Sequence, residues 1–344
     1  MRQVRNLFFL CIALFMLSLN SFAQTDSSAH KVRFVTVEEG VQLEVLDWGG
    51  SGRPMIFLAG MGNTAHAFDS FAPQFAAHYH IYSITRRGFG ASSKPTPANG
   101  NYSADHLGDD VLAVMDALKL DRPILVGHSF AGEEMSSIGS RFPEKVAGLI
   151  YLEAAYDFAY DDPARPNVGL EMTDLKRRIE QVEAGGVDEK SYLLDLEARV
   201  SKFEKTLHDS NVDVASMPPI PPRSPIIAAL TYGGQKYTKI PVPILAIYAC
   251  PHNWDRAFQN DPAMKAKRLA ADKVNCTAMA DAFAAGVPSA HVVRIPNADH
   301  YVYLSNETEV VREMNDFLAK LDQRPTIPRS SESAGPSNPA AHPQ

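Results

Sequence analysis

Short apolar runs alternate with helical patterns along most of this chain, and that alternation leaves few architectures open. Residues 32–37 and 41–46 flank Glu39-Gly40 and read as a β-hairpin. Further strands are expected at 55–58, 81–84, 124–126, 147–152, 244–248 and 291–295, eight in all. The later ones are continuous apolar runs, the pattern of strands covered on both faces. Helical patterns at 104–118, 133–141 and 307–321 fall between or after them. Strand followed by helix, repeated, joins neighbouring strands in parallel. The expected fold class is therefore α/β, a mostly parallel eight-stranded sheet flanked by helices. With 344 residues, 45% of them hydrophobic, there is apolar material for one large domain or one domain with an insertion.

The alternation breaks between residues 157 and 240. That stretch is polar and helix-prone from 170 to 208, then rich in proline at Pro218, Pro219, Pro221, Pro222 and Pro225. It is read as a helical cap inserted into a core made of residues 24–156 and 241–322. A linker is the alternative, disfavoured because Tyr192, Leu193, Leu194, Leu196 and Val200 offer an apolar face. Residues 323–344 are rich in Pro, Ser and Ala without periodicity and are expected to be disordered.

Arg2 and Arg5 precede a mostly apolar run at 7–19, and Ser21-Phe22-Ala23 offers small residues at the −3 and −1 positions of a cleavage site. A signal peptide spanning 1–23 and export to the periplasm or medium are expected, with an uncleaved anchor as the alternative. No later stretch suits a membrane span. Export leaves Cys250 and Cys276, which in an oxidising compartment either pair or stay as buried thiols. The net charge of −7, without a basic cluster, argues against nucleic-acid and anionic-membrane partners.

Residues 123–132, Pro-Ile-Leu-Val-Gly-His-Ser-Phe-Ala-Gly, read as a buried strand, a sharp turn and a helix start. Together they resemble the nucleophile elbow of the α/β-hydrolase family, with Ser129 as nucleophile. Strand and helix pass so close in such a turn that the residues two before and two after the serine must be small. Gly127 meets this demand. Ala131 replaces the usual second glycine, and Gly132 follows. The resemblance extends from about residue 31 to 322. It implies that Ala59-Gly60-Met61-Gly62 is the oxyanion-hole loop, with the amides of Met61 and Phe130 as donors. It gives the 86–92 turn, Arg-Arg-Gly-Phe-Gly-Ala-Ser, a structural role.

Such a nucleophile needs a histidine base, and eleven histidines compete. His128 is held in the elbow. His30 and His342 lie near the ends. His66, His78, His80 and His106 precede the serine, the wrong order for this family. His208 is in the cap and His291 begins a strand. His300 follows the last strand, where the family places its base. Two carboxylates compete for the acid. Glu153 ends the apolar run 148–152, where a lone charge would be costly, and some relatives use a Glu there. Asp255 follows the next strand, the commoner place, but at a longer reach. Glu153 is preferred.

His252 with Asp255 lacks a third ligand at suitable spacing, so no metal is expected. Nor is a cofactor, because no nucleotide fingerprint appears. Glu133 and Glu134 are expected to favour a helix dipole, and Asp109, Asp110 and Asp116 to face solvent. The expected activity is hydrolysis of a carboxylic ester, or a related acyl bond, through an acyl-enzyme on a small substrate with an apolar portion. Lactonase, amidase, C–C hydrolase and perhydrolase activities on the same residues remain open. So does a non-catalytic ligand-binding role. Substrate identity and oligomeric state are not legible.

Overall fold

A computed structural model of the protein describes residues 30–164, 167–183, 185, 189–210 and 223–323. The expected signal peptide and its cleavage site, Pro218 to Pro222, and nearly all of the tail lie outside these residues.

The chain builds one eight-stranded sheet in the order β1-β2-β4-β3-β5-β6-β7-β8. The strands are β1 (Lys31–Glu38), β2 (Val41–Gly49), β3 (Pro54–Leu58), β4 (His80–Ile84), β5 (Ile124–His128), β6 (Gly148–Leu152), β7 (Ile244–Ala249) and β8 (Ala290–Ile295). β1 pairs antiparallel with β2, and β2 with β4; the other pairs are parallel. Gly40, at φ 75°, makes the hairpin turn between β1 and β2.

The helices are α1 (Ala104–Ala117), α2 (Ala131–Arg141), α3 (Val168–Glu183), α4 (Glu189–Ser210), α5 (Pro225–Thr231), α6 (Pro262–Gly286), α7 (Val302–Ser305) and α8 (Glu307–Asp322). Alternation along the central strands feeds two cores. In β7, Ile244, Ala246 and Tyr248 join one, with Met135 and Ile138 of α2 and Phe283 of α6. Leu245, Ile247 and Ala249 join the other, with Phe68, Phe71, Phe75 and the α8 residues Val310, Met314, Phe317 and Leu321. Burial on both faces is why these strands read as unbroken apolar runs. β8 departs from that expectation: it is an edge strand and stays partly exposed.

Between β6 and β7 the described residues add no strand and include α3, α4 and α5. Ion pairs tie α3 to α4, among them Arg178 to Asp195 at 2.5 Å and Lys202 to Glu171 at 2.9 Å. Leu193, Leu194 and Val200, expected on an apolar face, are exposed. Cys250 and Cys276 form a disulfide that joins the end of β7 to α6, with the Cα atoms 5.6 Å apart. Asp110, expected in solvent, is buried, because α1 lays it against the 86–92 turn. There it accepts two hydrogen bonds of 2.6 Å from Arg87. Asp109 and Asp116 do remain exposed. No helix among the described residues is long and apolar enough to cross a membrane.

Candidate active site

Parallel register brings the carboxyl ends of β5, β6, β7 and β8 side by side: His128 pairs with Leu152, Leu152 with Ile247, and Ala249 with Ile295. The residues that follow these ends therefore converge on one rim, where α/β sheets place their ligands. Ser129 follows β5, Glu153 follows β6, His252 lies beyond β7, and His300 lies beyond β8.

Ser129 and Glu153 share an unusual backbone. Each has φ 53°, in the left-handed region that costs a non-glycine residue about 1–3 kcal/mol. Each donates its amide to the neighbouring strand, Ser129 to the Leu152 carbonyl at 3.2 Å and Glu153 to the Ile247 carbonyl at 2.8 Å. The turns thus begin while the chain is still hydrogen-bonded to the sheet.

The close approach at the elbow is visible atom by atom. A Cβ on Gly127 would lie 2.6 Å from Met135 Cε and 3.0 Å from Ala131 Cβ. A Cβ on Gly132 would lie 1.9 Å from the Ala154 carbonyl oxygen. The tightest backbone contact on the helix side falls at residue 132, which explains why alanine is accommodated at 131.

Four side chains form a continuous polar chain with the serine. Ser129 Oγ is 3.0 Å from His300 Nε2, and His300 Nδ1 is 3.2 Å from Glu153 Oε2. The ionised carboxylate can only accept, so Nδ1 carries a proton and the Nε2 lone pair faces the serine hydroxyl. Glu153 is completely buried. Its Oε1 accepts the Ala249 amide at 2.6 Å, and its Oε2 also accepts from the Tyr156 hydroxyl and from His252 Nε2 at 2.7 Å. His252 Nδ1 in turn lies 3.0 Å from Asp272 Oδ1. Burial by itself would raise the Glu153 pKa, but the charge and hydrogen bond of His252, then those of His300, hold it well below the usual carboxylate range. Burial would lower the pKa of His252, yet Glu153 and Asp272 push it above the ordinary histidine value.

His128 is buried beside this chain. Burial and the neighbouring His300 lower its pKa to about 3, so it is neutral, and its Nε2 donates to the His300 carbonyl at 3.0 Å. The elbow thereby grips the loop that carries His300.

Behind the 59–62 loop, Arg86 reaches from the 86–92 turn and donates to the Ala59 carbonyl at 2.7 Å and the Gly60 carbonyl at 3.4 Å. Its Nε is bonded to Glu134 of α2. In a trans peptide the N–H points opposite to the C=O, so a held Gly60 carbonyl also fixes the direction of the Met61 amide. Glu134 does lie in the first turn of α2, as expected, but it is buried there as the ion-pair partner of Arg86. Glu133 is buried too. Burial, then the charge of Glu134, raise its pKa well above the usual range. Phe130, the residue after Ser129, belongs to a small apolar cluster with Tyr102, Leu107 and Leu230, against which Met61, Phe89, Ile226 and Ile227 pack.

Asp255, the alternative acid, lies apart. It is exposed and paired with Lys265. Sequence reasoning did not attach His252, Asp272 or Tyr156 to the site. His252 stood close after the β7 run and was the one signal available. Glu153, His252 and His300 have ligand-type atoms within 4.8 Å of one another, the arrangement a small cation could use. Both imidazoles instead turn a ring nitrogen to the carboxylate, His252 Nε2 at 2.7 Å and His300 Nδ1 at 3.2 Å.

A polar strand-end rim carrying serine, histidine and carboxylate in this fold defines the hydrolase class. The sequence matches the alpha/beta hydrolase family over residues 55–313, and the chain belongs to that family. It is similar to a fluoroacetate dehalogenase from Burkholderia sp, 33% identical over 107 residues covering 30% of this chain and 35% of the relative. It is also similar to a bifunctional esterase/perhydrolase from Acinetobacter calcoaceticus, 31% identical over 124 residues covering 35% of this chain and 44% of the relative. The matches thus span less than half of either relative. Among solved structures, a serine hydrolase involved in carbazole degradation superposes with a TM-score of 0.54 at 18% identity, over 85% of this chain and 100% of that one. That likeness speaks for the fold alone.

Proposed function

We propose that the protein is a serine hydrolase that cleaves a carboxylic ester, or a closely related acyl bond, through an acyl-enzyme. The observation that carries this reading is the hydrogen-bonded series from Ser129 Oγ through His300 to Glu153. His300 Nε2 takes the serine proton as Oγ attacks the substrate carbonyl. The amides of Met61 and Phe130 receive the developing oxyanion. His300 then protonates the leaving group, activates a water for deacylation and returns the proton to Ser129. Glu153 keeps the imidazole in the working tautomer and balances the charge it acquires. The apolar cluster around Phe130, next in sequence to Ser129, with Met61, Phe89, Ile226 and Ile227, supports a substrate with an apolar acyl or alcohol portion. In this reading residues 157–240 are the cap, and its helix α5 brings Ile226 and Ile227 to that cluster.

The test is a panel of p-nitrophenyl esters of increasing acyl length with wild type and Ser129→Ala, together with labelling by a fluorophosphonate. Turnover and labelling that both vanish in Ser129→Ala support the reading. A folded wild-type protein that hydrolyses none of the esters and takes no label would favour a ligand-binding member of the fold.

A further inference from the structure

The polar chain does not end at Glu153. Beyond it lies a second histidine–carboxylate pair on elements that supply neither the nucleophile nor the base. We propose that His252 and Asp272 are positioning residues of the hydrolytic site: a charged dyad behind Glu153 that fixes the carboxylate and sets the pH range in which His300 works. The inference rests on the serine-hydrolase reading above.

The geometry requires the charge. His252 Nε2 is 2.7 Å from Glu153 Oε2, and its Nδ1 is 3.0 Å from Asp272 Oδ1. Two ionised carboxylates can only accept, so both ring nitrogens must donate, and an imidazole that donates twice is an imidazolium. The ring is locked from behind as well, because the His252 amide donates to Asp272 Oδ2 at 2.7 Å.

The backbone couples this dyad to the base. The β7–β8 ladder runs on into both loops. Cys250 donates to Ile295 at 3.0 Å, Asn297 to Pro251 at 2.8 Å and Asn253 to Ala298 at 2.8 Å, with a bridge between His252 and Ala298. The loop of His252 and the loop of His300 are therefore one unit. The Cys250–Cys276 disulfide pins the first loop to α6 one helical turn from Asp272.

Other charged and titratable groups face the dyad. On the turn after β6 stand Glu153 and Tyr156, whose hydroxyl donates to Glu153. Tyr248 of β7 donates to the Ala155 carbonyl. On α6, Arg268 lies 4.5 Å over the Trp254 ring and interacts electrostatically with Asp272. On the β8 loop stands His300. The positive charge of His252 offsets that of Glu153 where His300 sits, so removing it is expected to move the acidic limb of activity to higher pH.

The experiment compares wild type, His252→Gln and Asp272→Asn with a p-nitrophenyl ester across pH, alongside ¹H–¹⁵N NMR of the wild-type imidazoles. For His252→Gln we expect kcat to fall about 10- to 100-fold, the scale at which outer partners of a working histidine act. KM should stay near wild type, and the acidic limb of the kcat/KM profile should move up by about one pH unit. Asp272→Asn should move both in the same direction by less. In wild type, His252 should show two ring N–H signals that persist above neutral pH.

Wild-type kcat and an unmoved profile in a folded His252→Gln overturn the inference while leaving the hydrolase reading intact. A neutral His252 at pH 7 by NMR overturns it even if both variants fail to fold. A wild-type protein inert to every ester and to the fluorophosphonate overturns the hydrolase reading and this inference together.

Discussion

Ser129, His300 and Glu153 come from three separate strand ends, and each is held by contacts that leave little freedom. Ser129 sits at φ 53° on the elbow, His300 is gripped through its carbonyl by His128, and Glu153 has every carboxylate oxygen engaged. Groups that act as a unit lose their value together. Ser129→Ala and His300→Ala should each remove nearly all turnover, and the double variant should be little worse than either, measured as kcat/KM on one ester. Additive losses would contradict the shared mechanism. For the acid, Glu153→Gln keeps the side-chain volume but removes the charge that selects the His300 tautomer. The corresponding loss in serine proteases is about 10⁴ in kcat, so the effect should be large. Asp255→Asn, on the surface beside Lys265, should cost far less. The reverse ranking on folded variants would move the acid to Asp255.

The contacts between elements explain why the site is rigid. α2 approaches the β6 turn so closely that only a glycine fits at 132. Gly132→Ala, which drives a Cβ toward the Ala154 carbonyl, should lower stability by about 1–3 kcal/mol in urea unfolding. Unchanged stability would mean the elbow has slack that the structure does not show. Arg86 works between elements, joining the 59–62 loop to Glu134 on α2. Arg86→Met leaves Glu134 buried without its partner, beside Glu133. A loss of about 3–5 kcal/mol is expected by urea unfolding, with a fall in kcat as the Met61 amide loses its fixed direction. Wild-type stability and turnover would mean the loop is held by other contacts. The strands around these contacts were readable because burial on both faces writes a continuous apolar run. The buried charges were not readable. Glu133, Glu134 and Asp110 look like any helix-surface acid until the opposing turn, with Arg86 and Arg87, is in place.

At the scale of the whole molecule, the disulfide and the proposed export belong together. Cys250 and Cys276 are separated by 26 positions, and opening a loop of that size typically costs about 2–4 kcal/mol. Cys250→Ser should lower the thermal midpoint, and reductant should lower that of wild type while leaving the variant unchanged. The exported form is expected to begin at Gln24, which intact-mass measurement of protein from periplasm or medium would check. An uncleaved chain as the main species would contradict it. Stability should also depend on pH through His252. Its folded pKa is raised above the unfolded value, so its contribution is fully present below the ordinary histidine range and is lost as pH rises through the raised value. Denaturant midpoints should therefore decline on the alkaline side more steeply in wild type than in His252→Gln. Parallel curves would contradict the sign.

Local information was enough for the class of fold and the elbow, because each depends on residues adjacent in sequence; the candidate base came from the family resemblance, which places a histidine after the last strand. An apolar run with a small-residue turn reads as a strand entering a helix from its own residues. Local information did not reach the network behind the acid. Glu153, His252 and Asp272 are brought together by the register of β6 beside β7 and by the docking of α6, contacts between segments up to about a hundred residues apart. Whether a carboxylate is a solvated surface charge or the buried centre of a site depends on what the rest of the chain packs against it. Desolvation and pairing are properties of that packing, and only the tertiary structure decides them.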